Sequence, residues 1–190
     1  MRIDHATGLL DAAREPRQSF RFTWVPQPDA ADVRRYIDNA LRDFEAGTAL
    51  PFVTLSATTG LVVGSTRFMN AEHWPSGNGH PSPNTLPDAI EIGSTWLAET
   101  HQRSGINTEA KLMMLDHAFH VLQVKRVTFK TDARNLVSRR NIERTGAQLD
   151  GVIRRHMNAA DGGLRDTALY SLLPDEWVIA REKLAARLHR

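Results

Sequence analysis

Residues 91–111 read EIGSTWLAETHQRSGINTEAK and decide the fold of this 190-residue chain. Between Glu91 and Leu97, large apolar residues combine with a β-branched threonine, which predicts a strand. From residue 112 onward, apolar residues recur at spacings of three and four, which predicts a helix with one apolar face. That face carries Leu112, Leu115, Phe119 and Leu122. The stretch therefore predicts a strand, a short turn and a helix, in this order.

The turn, residues 102–108, places Gly105 directly before the predicted helix. The first N–H groups of a helix have no partner inside it and the dipole makes this end positive, so anions such as pyrophosphate bind there. A glycine lets the backbone approach a phosphate without an intervening side chain. One glycine is also compatible with an ordinary strand-to-helix turn, and the spacing alone favours that simpler explanation.

Composition excludes several classes of function. The chain has no cysteine, so disulfides, zinc–thiolate sites and an acyl-cysteine intermediate are excluded. No apolar run has membrane-spanning length and no signal-peptide pattern opens the chain, so we expect a cytoplasmic protein that does not enter a membrane. The formal net charge is +2 and the arginines are scattered, which argues against a nucleic-acid groove. The length predicts a single domain over residues 1–190.

The first 25 residues show two weak patterns. Residues 1–18 are polar and unpatterned, which predicts a loose arm. Phe20, Phe22 and Trp24 alternate with polar residues and predict a half-buried strand.

The remaining elements follow from hydrophobic spacing and from turn and cap residues. Residues 71–88 form a proline-rich stretch that predicts a long loop, and loops of this length are usually functional or disordered. His73 and His80 lie in it without ligand spacing, so no metal site is predicted. The order of strands, helices and hairpins predicts one mixed α/β (α+β) sheet flanked by helices. The other predicted elements are a helix over 33–44, hairpin strands over 50–55 and 61–69, a strand over 126–131, a helix after Asn135, hairpin strands over 148–157 and 164–173, and a terminal helix from Pro174.

Three motifs, in the right order, resemble those of the GNAT acyltransferases. They are Gln102-x-x-Gly105-x-Asn107, Lys130-Thr131-Asp132-Ala133-Arg134-Asn135-x-x-Ser138 and Arg165-Asp166-Thr167-x-x-Tyr170-Ser171. The chain is most similar to the branch that includes the ribosomal-protein N-terminal acetyltransferases, and it departs from the family pattern at Asn107, where a small residue is usual. The resemblance implies a mixed, mostly antiparallel sheet whose two central strands splay apart to form the acetyl-CoA cleft.

The resemblance also implies where acetyl-CoA binds as co-substrate, without a metal. The pantetheine arm would pair with the backbone of Trp96, Leu97 and Ala98 and bond to Asn135. The 71–88 loop would cover the acceptor side of the cleft. The alternative is a flexible surface loop with no role in the site. The pyrophosphate would lie against Gln102, Arg103, Ser104, Gly105, Ile106, Asn107 and Thr108.

Acetyl transfer to an amine needs a base for the amine and benefits from an acid for the leaving thiolate. The resemblance gives the acid role to Ser138, which would also contact the cofactor. Tyr170 is the second candidate acid, or else a buried strand tyrosine. Glu91 is a candidate base acting through water, or else a solvated glutamate at a strand start. His156 is the alternative base, because it lies where relatives use a carboxylate and imidazole accepts protons near neutral pH.

We therefore expect an N-acetyltransferase that moves an acetyl group from acetyl-CoA directly to a primary amine. A protein N-terminus is the first acceptor to test, and a small amine such as a polyamine, amino acid or antibiotic is the second. A non-catalytic acyl-CoA-binding regulatory protein is the alternative from a different class. A homodimer is compatible with the sequence, which does not fix the oligomeric state.

Overall fold

The computed structural model describes residues 1–75, 79 and 86–188, in which six strands form one sheet. The strand order is β1-β2-β3-β4-β6-β5, and every neighbouring pair is antiparallel except β3 and β4. The predicted mixed, mostly antiparallel sheet is therefore confirmed. The strands are β1 (Ala49–Leu55), β2 (Val62–Glu72), β3 (Ala89–Leu97), β4 (Arg126–Asp132), β5 (Gln148–Asn158) and β6 (Leu164–Leu172). The helices are α1 (Ala6–Arg14), α2 (Ala30–Glu45), α3 (Ile106–Asp116), α4 (Leu136–Glu143) and α5 (Pro174–Ala185).

The parallel pair β3–β4 is joined only at its beginning. Three register pairs link the strands, and the last is Glu91 with Thr128. β3 then continues to Leu97 and β4 to Asp132 without pairing with each other, while each stays paired with its outer neighbour. The two central strands therefore splay apart toward their C-terminal ends, as the resemblance implies, and leave an opening between them.

Apolar side chains form a separate core on each face of the sheet. One face, here called the α3 face, is covered by α3, α4 and α5. The other, the α1 face, is covered by α1 and α2, and β4 and β6 contribute none of its described core residues. The α1 face of β4 and β6 thus carries mainly polar side chains, with Leu169 as an apolar exception. The α3-face core includes Ile92, Leu115, Val127, Ile142, Tyr170 and Trp177. The α1-face core includes Leu9, Ala13, Val33, Ile37 and Trp96.

β3 contains one extra residue at Ser94. In a regular strand, residues four apart point to the same face, yet Ile92 packs in the α3-face core and Trp96 in the α1-face core. The register with β2 shifts at the same place, and Ser94 has a φ of 49°. Such a bulge twists the strand and redirects its backbone groups. It lies just beyond the last β3–β4 pair, on the edge of the opening.

The prediction of a loose arm over residues 1–18 is wrong, because this stretch contains α1. Leu9 and Ala13 are fully buried in the α1-face core. The N-terminal amino group donates to the Pro51 carbonyl at 2.7 Å and fixes the chain start against β1. Ala6, Leu9, Leu10 and Ala13 nevertheless recur at helical spacing, a pattern that the interpretation of this stretch as unpatterned overlooked.

The prediction of a strand through Phe20, Phe22 and Trp24 is also wrong. The chain forms a short 3₁₀ turn over Gln18–Phe20 and then a loop. Arg17 donates to three backbone carbonyls on both sides of this segment, which holds it in a compact bend rather than an extended strand.

The other predicted helices and hairpins are confirmed. The helix predicted from residue 112 begins earlier, at Ile106, and ends in a π-helical turn over His117–Val121. The extra residue in that turn rotates the side chains that follow. Leu115 precedes this turn and is fully buried, whereas Phe119 and Leu122 only cover the edge of the core. Among the described residues, no helix has both the length and the hydropathy to cross a membrane.

The 71–88 stretch is described only at its two ends. The Trp74 N–H donates to the Asp88 carboxylate at 2.7 Å, and Lys125 binds its other oxygen at the same distance. Residues 76–78 and 80–85 lie outside the described residues, so the role of this loop stays a prediction. Within the described ranges, no group of three or more histidine, aspartate or glutamate side chains is arranged to hold a metal.

Candidate active site

The turn between β3 and α3 presents the start of a helix to the opening. Gly105 directly precedes α3 with a φ of 87°, and Arg103 has a φ of 60°. A Cβ on Gly105 would have Leu188 Cδ2, at 3.8 Å, as its nearest neighbour, so the backbone conformation rather than space demands glycine. No described side chain caps α3, and the N–H groups of its first turn have no partner inside the helix. This is the geometry of an anion site, at the place where pyrophosphate is predicted.

The Gln102 side chain holds the turn itself. The Gln102 amide donates to the Leu97 carbonyl and to the Ser19 hydroxyl, both at 2.9 Å. The N–H and hydroxyl of Thr100 both donate to the Glu15 carboxylate, just after α1. The region predicted to be a loose arm therefore supports the predicted phosphate turn. With the Gln102 amide engaged in this way, backbone N–H groups remain to meet an anion.

The start of α4 follows the end of the other splayed strand. The Asn135 side-chain oxygen accepts the Ser138 N–H at 3.0 Å and caps the helix. Ser138 is half-buried in the first helical turn, and its hydroxyl has no hydrogen-bond partner in the part of the chain that the structure describes. Because β3 and β4 diverge toward their C-terminal ends, the starts of α3 and α4 flank the same opening. The predicted donor-site residues 96–98 and 102–108 thus lie on one side of the opening, and Asn135 and Ser138 lie on the other.

Glu91 lies at the closed end of the splay, in the last β3–β4 pair. It is 5% exposed, and its Oε2 accepts hydrogen bonds from Asn70 Nδ2 and Lys130 Nζ, both at 2.8 Å. A Cβ on Gly93 would lie 3.1 Å from the other oxygen, so the glycine leaves room for the carboxylate. Glu91 is therefore a fixed, ion-paired carboxylate. Sequence reasoning missed Asn70 and Lys130, although Lys130 alternates with buried residues of β4 and so had a detectable signal.

Charged side chains line the α1 face along β4 and the adjoining hairpin. Asp132 is 1% exposed and pairs with Arg134 at 2.7 Å, and Arg134 also contacts Asp161 at 3.0 Å. The Arg134 guanidinium holds the pKa of both carboxyl groups below the usual value. The same guanidinium lies over the Phe22 ring, 4.8 Å from its centroid. The segment after α1 therefore reaches across the opening to β4.

Tyr170 and His156 lie on different parts of the molecule. Tyr170 is fully buried in the α3-face core, where its hydroxyl donates to Glu143 at 2.9 Å and accepts from Arg139 at 2.8 Å. Burial raises the pKa of this hydroxyl. Tyr170 thus matches the alternative of a buried strand tyrosine. His156 lies on exposed β5, with its Nδ1 3.0 Å from the Thr167 hydroxyl.

Lys111 is a buried cation that sequence reasoning passed over. It is 7% exposed in α3, and its Nζ donates to the hydroxyls of Thr95 at 2.7 Å and Thr66 at 3.2 Å. It has no carboxylate partner among the described residues, and burial lowers the pKa of its amine to about 7. The amine lies beside the Ser94 bulge and ties α3 to β2 and β3 there. Its spacing of four from Leu115 was the available signal, since both residues face the sheet.

Comparison with known proteins agrees with this arrangement. Residues 1–148 match the family model described as the acetyltransferase (GNAT) domain. The Bacillus subtilis (strain 168) protein named probable N-acetyltransferase YjcK is 33% identical over 82 residues, a stretch that spans 43% of this chain and 45% of that protein. The chain therefore matches less than half the length of that relative.

Two solved structures share the fold over nearly the whole chain. A GCN5-related N-acetyltransferase from Brucella melitensis is 27% identical, with a TM-score of 0.81 and coverage of 97% of this chain and 78% of that one. Mycobacterium smegmatis RimJ, solved in complex with CoA-disulfide, is 24% identical, with a TM-score of 0.77 and coverage of 98% and 86%. At 24% identity, the similarity to RimJ shows a shared fold and nothing further. Because the family model covers well over half of the sequence, this chain belongs to the GNAT acetyltransferase family.

Proposed function

We propose that this protein transfers an acetyl group from acetyl-CoA directly to a primary amine. One observation carries the proposal: β3 and β4 separate after three pairs, and the opening between them ends at the glycine-led, uncapped start of α3. The free edge of β3 offers backbone groups to an amide-containing arm such as pantetheine, and the helix start suits pyrophosphate. RimJ, which shares the fold, was solved with CoA-disulfide.

The residues round the opening support a direct transfer. The amine nitrogen attacks the thioester carbonyl, so that a C–N bond forms and the C–S bond breaks. Glu91 takes the amine proton through a water molecule, and Lys130 and Asn70 hold its carboxylate in place. A backbone N–H on the free edge of β3 donates to the carbonyl oxygen as negative charge develops there. Ser138 passes a proton to the departing thiolate and takes one from water in the opening, so that the hydroxyl is restored. The helix dipole also favours a developing anion there.

The alternative acid and base fit this scheme less well. The Tyr170 hydroxyl donates its hydrogen to Glu143 inside the α3-face core, so it has none to offer at the opening. His156 lies on the edge strand β5 and remains the second candidate base, because Glu91 is already engaged by Lys130.

For the acceptor, we propose a protein N-terminus first, because the three motifs resemble the ribosomal-protein branch of the family. A small amine is the second candidate, since the α1 face beside Glu91 is lined by charged side chains that suit a small polar molecule. The proposal for the donor does not depend on which of the two is used.

The test is thiol release from acetyl-CoA with peptides that begin in alanine or serine and with a panel of small amines. Turnover on peptides alone would support an N-terminal acetyltransferase, and turnover on small amines alone would replace it with the second candidate. Glu91→Gln and Ser138→Ala separate an enzyme from a binding module. An enzyme should keep CoA affinity and lose turnover in these variants, whereas a binding module has no turnover in any form.

A further inference from the structure

The charged side chains on the α1 face of β4 and β6 do not balance. Lys130 pairs with Glu91 at 2.8 Å, and Arg134 pairs with Asp132 at 2.7 Å and with Asp161 at 3.0 Å. These groups, together with Arg21 at 3.9 Å from Asp161, account for all three carboxylates. In the described part of the chain, Arg165 has no ion-pair partner. The cations are Arg21, Lys130, Arg134 and Arg165, and the carboxylates are Glu91, Asp132 and Asp161. Arg126, at the start of β4, pairs with Glu72 at 2.8 Å and does not change this balance.

Arg165 is half-buried at the start of β6. Its side chain alternates with Ala168 and Tyr170, which lie in the α3-face core, and so points to the α1 face. Its Nε atom is buried and has no hydrogen-bond partner among the residues that the structure describes. Burial lowers the pKa of the guanidinium, while the nearby carboxylates of Asp132 and Glu91 oppose that effect.

A buried guanidinium donor without a partner is unfavourable, because an arginine side chain stays charged and cannot shed the proton. Arg165 therefore combines an unmet hydrogen-bond requirement with a surplus positive charge, on the face that also carries Glu91. Both requirements would be met by one anionic group placed against it.

We propose that Arg165 binds a carboxylate on the acceptor, so that the site selects amines that carry an acidic group. The inference rests on the proposed acetyl transfer, because that reaction assigns the α1 face beside Glu91 to the acceptor. A guanidinium presents parallel N–H groups that match the two oxygens of a carboxylate. Arg165 is a specificity-determining residue in this scheme.

Charge balance favours a carboxylate over a phosphate. One surplus cation matches a monoanion. A phosphate group would place about two negative charges next to Asp132 and Glu91. The cations that pair with these two carboxylates are already engaged. A neutral acceptor would leave Arg165 Nε unpaired once it displaced water from the site.

Matched acceptor pairs test the proposal directly. Serine is compared with serinamide, and a Ser-Glu peptide amide is compared with its Ser-Gln counterpart. The wild type should favour the carboxylated member by roughly tenfold or more in kcat/KM, chiefly through KM, because a charge-assisted hydrogen bond has this strength. A preference confined to the first pair points to amino-acid-like acceptors, and a preference confined to the second pair points to acidic peptide ends. Either result supports the role of Arg165.

Three variants define that role. Arg165→Gln should bring the two members of a pair to nearly equal kcat/KM, chiefly by lowering the value for the carboxylated member. Arg165→Lys should keep part of the preference, because the charge stays but the planar fork is lost. Arg154→Gln is the matched control, since Arg154 is exposed on β5 and makes no hydrogen bond or ion pair within the described residues.

Equilibrium binding of the same acceptors, with CoA present, separates failure of this inference from failure of the proposed function. The wild type could bind the carboxylated member more tightly, and Arg165→Gln could lose that preference, while neither protein acetylates any amine. This result would support the anion site and overturn the proposed reaction. Acetylation of both members at equal rates by the wild type would overturn the role of Arg165 and leave the reaction in place. An equal loss of kcat/KM on both members of a pair in Arg165→Gln would also overturn the role of Arg165.

Discussion

β3 and β4 pair with each other over the same three residue pairs, yet beyond them the two strands differ in the chemical groups that face the opening. Beyond Glu91, every side chain of β3 up to Leu97 is uncharged, and the strand carries the bulge at Ser94. β4 carries Lys130 and Asp132, each held in an ion pair. Under the proposed function, this contrast assigns the donor mainly to backbone groups on the β3 side and the acceptor mainly to charged groups on the β4 side.

The helices that follow the two strands differ in the same sense. Within the described ranges, α3 begins after Gly105 without a side-chain cap, whereas α4 is capped by Asn135 and carries the Ser138 hydroxyl, which has no partner there. An uncapped helix start can accept an anion, and a capped one can position a proton donor. Substitutions on the β3 side should therefore act on CoA binding, and those at Glu91 and on the β4 side should act on turnover or acceptor choice.

The largest expected effect is that of Gly105→Asp on CoA binding. A carboxylate about 4 Å from a phosphate at a surface site costs about 4 kcal/mol, or roughly a thousandfold in Kd. Gly47→Asp is the matched control: Gly47 also has a positive φ, of 68°, with no atom within 4 Å of an added Cβ, and it lies near the opposite end of the sheet. Titration calorimetry with CoA distinguishes the two. A folded Gly105→Asp protein with unchanged affinity would refute the donor site.

Glu91→Gln should lower kcat by roughly a hundredfold, the usual cost of losing a general base, and leave CoA affinity unchanged. Asp88→Asn is the control, because Asp88 is 4% exposed and pairs with Lys125 at 2.7 Å, so both variants break a buried ion pair. Steady-state kinetics on the preferred amine should show the loss in Glu91→Gln only. A wild-type kcat in that variant would move the base to His156.

Sequence reasoning predicted the turn before α3 and the cap of α4 better than the side chains that surround Glu91, and the reason is physical. Gly105 and Asn135 act through turn and cap geometry that a few consecutive residues encode. The partners of Glu91 come from β2 and β4, and Arg165 joins them from β6, so their proximity depends on the lateral order of the strands. That order is set by long-range pairing, which no local pattern contains. α1 was missed although Ala6, Leu9, Leu10 and Ala13 recur at helical spacing, because two of these four residues are alanines, which mark an apolar stripe less clearly than larger residues.

Lys111→Met should make stability less dependent on pH. In the unfolded chain the lysine stays protonated up to its ordinary pKa of 10.5, whereas in the folded protein it loses its proton near pH 7. The unfolded state therefore binds more protons above pH 7, so the free energy of unfolding of the wild type rises with pH relative to Lys111→Met. Between pH 6 and 9 this relative gain amounts to about 2–3 kcal/mol.

Urea unfolding of both proteins at pH 6 and pH 9 measures that gain. Lys111→Met should have its greatest advantage over the wild type at pH 6, where the wild type buries a charged amine, and that advantage should shrink by pH 9. Lys183→Met, at an exposed position of α5, is the control and should follow the wild type at both pH values. Equal pH dependence in Lys111→Met and the wild type would show that the amine is not buried in its neutral form.

Ser138→Ala has the smallest expected effect, a loss of about tenfold in kcat, because a thiolate leaves more readily than an amide nitrogen and depends less on an acid. Ser138→Thr keeps a hydroxyl at the start of α4 and should retain most of the activity. The CoA affinity of both variants should stay within about twofold of the wild type, since Asn135 still caps the helix. If Ser138→Ala instead weakened CoA binding and left kcat unchanged, the hydroxyl would belong with the donor-binding groups, and proton delivery to the thiolate would fall to solvent.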